Sequence, residues 1–207
     1  MATTVAGRSP LLDWGVATLT LPGQAESGDL HVIQPFAGGV MAAVVDGLGH
    51  GEEAAAAAKI AVATLSKKPE ESVLLLVRRC HHALKGTRGV VMSIASFSVA
   101  DEAMTWLGIG NVEGALFRAD ARGAPDREPI LLRGGVVGYE LPPLRASVVP
   151  VSQGDTLFFA TDGIRPGFAD GLALAESPQR LADRILAKYA KETDDALVLV
   201  VRYLGVT

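Results

Sequence analysis

The stretch VVDGLGHGEE, residues 44–53, decides how the chain is read. It runs an apolar segment into an Asp, three glycines spaced two apart, a His and two Glu. A strand–turn–helix junction of this kind can cradle a nucleotide's phosphates or hold a metal ion. The spacing speaks against the first. Gly47, Gly49 and Gly51 give G-x-G-x-G, whereas a dinucleotide fingerprint needs G-x-G-x-x-G, and no G-x-x-x-x-G-K-[ST] occurs. An Asp at the strand's exit would also repel a pyrophosphate unless a cation stood between them.

Other carboxylates repeat the pattern. Asp162 follows TLFFAT and precedes Gly163. Asp194 and Asp195 stand directly before ALVLVV, and Asp29 closes ESGD and opens another strand-like run. Each lies at the end of an apolar segment, where a layered sheet protein can bring several ends to one edge. Carboxylates gathered there raise one another's pKa unless a cation offsets them. Oxygen donors alone suit hard ions such as Mg²⁺ or Mn²⁺. A neighbouring glycine lets a backbone carbonyl approach such an ion closely.

Working outward, strand-like runs dominate: 12–20, 29–35, 39–45, 89–99, 103–109, 112–119, 129–133, 145–149, 156–161 and 196–203. Helical patterns cover 52–66, about 69–85 with Pro69 in its first turn, and 177–190. The strands come in runs with short gaps and do not alternate one-for-one with helices. That predicts an α+β fold of mainly antiparallel sheets. The two early helices share one connection and are expected on one sheet face, the late helix on another. An α/β/β/α sandwich, one domain over 1–207, satisfies these constraints.

The remaining composition narrows the class. Hydrophobic residues make up 49% of the 207, which predicts an ordered core. The net charge is -4 with no Lys/Arg block, so no nucleic-acid partner is expected. A single cysteine, Cys80, suits a reducing compartment. The N-terminal segment has no signal-peptide h-region and no apolar run reaches a membrane span, so the expectation is a cytoplasmic protein. RCHH at 79–82 puts Cys80, His81 and His82 about 100° apart on a helix, a poor zinc site and no known thiol-nucleophile context. Trp14 and Trp106 read as core.

Taken in order, SGD (27–29), DGLGHG (46–51), TDG (161–163) and DDALVLVV (194–201) resemble the motifs of the PPM family of metal-dependent serine/threonine protein phosphatases. The set is most similar to that family's bacterial stress and sporulation branch. The resemblance spans 27–201 and implies the same sandwich, with two Mn²⁺ or Mg²⁺ ions at one edge. On that resemblance Asp46 bridges both ions and the Gly47 carbonyl binds one. Asp162 and Asp194 complete the shell of the second, Asp29 orients a bound water, and Asp195 stands behind the ligands. Gly49, His50 and Gly51 shape the turn.

The implied reaction is hydrolysis of phosphoserine or phosphothreonine on a partner protein, with water as nucleophile and no phosphoenzyme. The bare architecture resembles the branch's stressosome phosphatases, whose substrates are phosphorylated stressosome scaffold proteins. A phosphatase of phosphorylated anti-anti-sigma factors is the near alternative, and a catalytically silent module of the same fold another. Recognition is expected from the surface around the metal edge, including 118–129 and the loops after Asp162. There are departures. Arg8 lies too early to match the N-terminal phosphate-binding Arg of many members. Arg165, three residues after Asp162, is the remaining candidate for that role. No mid-chain acidic motif matches the third metal of some relatives.

Overall fold

The structure, a computed structural model, describes residues 2–120, 126–172 and 174–205. The centre of the loop expected at 118–129, residues 121–125, lies outside the described residues, as does residue 173 in the stretch before the last helix. Among the described residues the order is β1 (Ala2–Arg8), β2 (Leu12–Leu19), β3 (Asp29–Phe36), β4 (Gly39–Gly47), α1 (Glu52–Ser66), α2 (Val73–Ala83), β5 (Val90–Ser98), β6 (Ala103–Ile109) and β7 (Glu113–Phe117). There follow β8 (Arg127–Pro129), β9 (Leu132–Arg133), β10 (Ser147–Pro150), β11 (Thr156–Ala160), α3 (Pro178–Tyr189) and β12 (Ala196–Tyr203).

Two sheets result. One has the order β1-β2-β12-β11-β7-β8, the other β10-β6-β5-β4-β3, with β9 paired to β6. All pairings are antiparallel except β6 with β9. The α+β sandwich expected from the sequence is therefore the observed fold.

Strand alternation shows why the central strands read as continuous apolar runs. In β4, Val40, Ala42 and Val44 face the core between the sheets, while Met41, Ala43 and Val45 face the layer beneath α1 and α2. In β12, Leu197, Leu199 and Val201 face the inter-sheet core, and Ala196, Val198 and Val200 face α3. Both faces are covered, so neither needs polar residues.

The helices seat as their sequences dictate. α1 buries Ala54, Ala55, Ala57, Ala58 and Ala61, small side chains that let it lie close to the sheet. α3 starts with Pro178 behind the Ser177 cap and buries Leu181, Ala182, Ile185 and Leu186.

Three expectations need correction. α2 begins at Val73, where Ser72 accepts a hydrogen bond from the Leu75 N–H, so Pro69 belongs to the preceding turn. The single strand expected at 129–133 is two, with β8 in one sheet and β9 in the other. The edge strand β1 was not foreseen: its residues are almost all exposed, so it lacks an apolar face to betray it.

Candidate active site at the edge of the sandwich

Sheet register gathers the carboxylates. Asp29 opens β3 and Asp46 lies one residue before the end of β4, and the two are direct cross-strand partners. Asp162 follows β11, while Asp194 and Asp195 precede β12; these strands are antiparallel neighbours, so their ends share an edge. The two sheets meet there. The Thr161 hydroxyl donates to Asp29 Oδ2 at 2.7 Å.

A cavity of about 470 Å³ opens on this edge, and Asp46, Asp162 and Asp194 line it together with Gly49, His50 and Asn111. Of the sequence-nominated residues, Asp46, Asp162 and Asp194 thus share one cavity. Gly47 continues β4 directly from Asp46, and its N–H donates to the Gly28 carbonyl at 3.0 Å. A Cβ on Gly47 would meet the Ala54 carbonyl oxygen at 2.2 Å, so the turn into α1 passes too close for any other residue.

Asp29 is buried, 4% exposed, across the strand pair from Asp46. Asp195 is also buried and serves as a strut. Its Oδ1 accepts from the Leu21 N–H at 2.8 Å and its Oδ2 from the Gly28 N–H at 2.7 Å. Both oxygens are used to tie the segment before β3 to the start of β12. Asp194 Oδ1 accepts the Asp195 N–H at 2.9 Å. Arg165 does not line the cavity. Its guanidinium donates to the Lys188 carbonyl at 2.9 Å and lies near that of Tyr189, at the C-terminal end of α3, where a cation complements the helix dipole.

The electrostatics are those of crowded carboxylates. Burial, then Asp162, Asp194 and Asp195, push the Asp46 carboxyl from 3.8 up to about 7. Burial followed by Asp46 holds Asp29 well above the usual range, against the Thr161 hydrogen bond. Asp194 is raised by burial and by Asp162 and Asp195, while the Asp195 N–H and Lys191 oppose the rise. Among the described residues no hydrogen bond reaches the Asp46 carboxylate, which leaves it free to take a ligand.

These features fit hard cations. The donors are oxygen only, and a positive charge would relieve the repulsion that raises Asp46. Among the described residues no three His, Cys, Asp or Glu side chains close on a single point.

Three neighbours were missed in the sequence. Asn111 Nδ2 donates to Asp162 Oδ2 at 2.8 Å, Lys191 Nζ donates to the Asp162 carbonyl at 2.5 Å, and Thr161 secures Asp29. Only Thr161 carried a signal, as the residue before DG. Elsewhere, Cys80 is buried, its Sγ directed at the Ala61 carbonyl at 3.7 Å, and burial pushes the thiol up to about 12. His81 Nδ1 accepts the Gly138 N–H at 3.0 Å. Trp106 is buried and Trp14 packs against the inter-sheet core. No helix among the described residues is long and apolar enough to cross a membrane.

A two-sheet sandwich with helices on both outer faces is the fold of the PP2C-type phosphatases. Residues 37–204 match the family described as Stage II sporulation protein E (SpoIIE), and the chain belongs to that family. Within reach of it stands phosphoserine phosphatase RsbX of Bacillus subtilis (strain 168), 25% identical over 187 residues, covering 87% of this chain and 89% of RsbX. A structure described as "The bacterial stressosome: a modular system that has been adapted to control secondary messenger signaling" is 29% identical with TM-score 0.83, covering 92% of this chain and 99% of that one. The fold is also that of RsbX solved in complex with magnesium, at TM-score 0.86 and 19% identity over 97% of this chain and all of the other.

Proposed function

We propose that this chain is a protein-serine/threonine phosphatase, one catalytic unit over 1–207, that hydrolyses phosphomonoesters on a partner protein with two Mn²⁺ or Mg²⁺ ions. The observation that carries this reading is the cavity that Asp46, Asp162 and Asp194 line together, where burial and the neighbouring carboxylates raise Asp46 to about 7. The carboxylates of Asp46, Asp162 and Asp194 and the Gly47 carbonyl would hold the ions, with Asp29 acting through water. Bound there, such ions would supply Lewis-acid polarisation of the phosphoryl group and would make a water acidic enough to attack near neutral pH.

The residues around them set the geometry. Asn111 and Lys191 fix Asp162 from both ends, through its carboxylate and its carbonyl. Asp195 pins the backbone beside Gly28 and so holds the start of β3 where Asp29 must stand. Arg165 is engaged on α3, so any part it takes in phosphate binding would require it to leave those carbonyls.

The likenesses to RsbX and to the stressosome-described structure support a phosphorylated stressosome scaffold protein as substrate. A cytoplasmic location accords with such a substrate. The experiment is phosphate release from phosphoserine and phosphothreonine proteins, with Mn²⁺, after chelation, and after Mn²⁺ is returned. The expected result is activity that disappears and returns with the ion. Undiminished turnover after exhaustive chelation would overturn the metal reading, and no turnover of any phosphoprotein with Mn²⁺ would favour a silent module.

A further inference from the structure

Two dibasic pairs lie 11 residues apart in the sequence, Lys67-Lys68 after α1 and Arg78-Arg79 on α2. The turn between the helices brings them together. They surround a groove of about 570 Å³ whose lining also includes Leu75 and His82. None of these residues lines the carboxylate cavity. Leu75 is 41% exposed, an apolar side chain left uncovered in the middle of a basic rim.

The charge there runs against that of the whole chain, which is -4. Glu71 pairs with Lys68 at 3.9 Å and with Arg79. Among the described residues Lys67 and Arg78 have no ion-pair partner. The groove therefore offers two uncompensated cations and an apolar contact in one concavity.

We infer that this α1–α2 groove docks an acidic, amphipathic segment of a partner protein. Leu75 selects for an apolar side chain on that segment, because a bare polyanion gains nothing from it. The flanking cations select carboxylates on either side and steer the encounter. Glu71 already pairs with Lys68 and Arg79, which leaves too few uncompensated cations to hold the dense phosphate array of a nucleic acid. Helix-in-groove docking uses such a combination of apolar anchors and charged flanks.

The test is binding and needs no turnover, so its outcome is separate from that of the phosphatase reading. The probe is a fluorescent amphipathic peptide of about 20 residues, Leu at one face and Glu or Asp elsewhere, read by anisotropy. A peptide with Lys in place of every acid is the control. The intact protein should bind the acidic probe and not the control, and binding should weaken as salt rises from about 0.05 to about 0.5 M. The double variant Lys67→Glu/Arg78→Glu should bind at least about tenfold more weakly. If circular dichroism shows that variant misfolded, Lys67→Gln/Arg78→Gln replaces it, with a loss of smaller size in the same direction. Equal affinity in a folded variant, binding of the basic control, or no saturable binding of the acidic probe overturns the inference. So does charge-dependent binding of phosphatidylglycerol vesicles or single-stranded DNA in place of the acidic peptide.

Discussion

The Thr161 hydroxyl reaches Asp29 at 2.7 Å across 132 residues of sequence, and with this bond one sheet grips the other at the edge that carries the candidate site. The same oxygen accepts the Leu197 N–H at 2.9 Å. Thr161→Val keeps the shape and removes both partners, leaving a buried carboxyl and a buried N–H unsatisfied. The expected loss is about 2–4 kcal/mol in urea unfolding of the metal-free protein. Thr161→Ser should recover most of it. A Val variant as stable as wild type would show that the bond contributes nothing.

Adjacent carboxylates should behave oppositely. Asp194 faces the cavity, while Asp195 spends both oxygens on backbone N–H groups. Asp194→Asn is expected to weaken Mn²⁺ binding with little change in metal-free stability. Asp195→Ala should destabilise the chain by about 2–4 kcal/mol, since two N–H groups lose charged acceptors. Calorimetric Mn²⁺ titration and chemical unfolding of both variants decide between them; the reverse pattern would exchange their roles.

Burial and its neighbouring carboxylates hold Asp46 at about 7, against 3.8 in the unfolded chain. Between those values the folded protein keeps a proton that the unfolded chain has lost, so this group's contribution falls as pH rises from about 4 to about 7. The raised pKa values of Asp29 and Asp194 act in the same sense. Asp46→Asn cannot ionise. In the presence of a chelator its Tm should match that of wild type near pH 4 and exceed it increasingly toward pH 8. A gap that stays constant or closes with pH would contradict the assigned environment.

Gly163 follows Asp162 where a Cβ would meet the Asp195 carbonyl oxygen at 1.8 Å. Gly163→Ala must separate the ends of β11 and β12, so both Tm and Mn²⁺ affinity should fall together. Loss of neither would mean that the approach is looser than the structure shows.

Much of the candidate site was legible because its residues sit at strand ends. An apolar run that stops at Asp-Gly marks Asp46 and Asp162 without any knowledge of contacts. Asn111 was not legible: Gly-Asn after a strand reads as ordinary turn chemistry, and only the packed sheets bring it to Asp162. Lys191 was hidden for the same reason, as a Lys after a helix reads as solvated. The basic groove escaped because neither dibasic pair is a charge block, and only the helix hairpin joins them. The sandwich itself followed from strands that come in runs with short gaps and from two early helices that share one connection. β1 did not follow, because an edge strand with no buried face has no period to detect.

The most direct measurement of the central claim is the rate of phosphate release from phosphocasein at saturating Mn²⁺ by wild type and by Asp46→Asn, each shown folded by circular dichroism. The amide keeps the shape of the carboxylate and loses its charge. The account predicts turnover by wild type and a fall in kcat/KM of at least about a hundredfold in the variant, equivalent to about 2.7 kcal/mol of transition-state stabilisation. A folded Asp46→Asn protein that releases phosphate at the wild-type rate would contradict it.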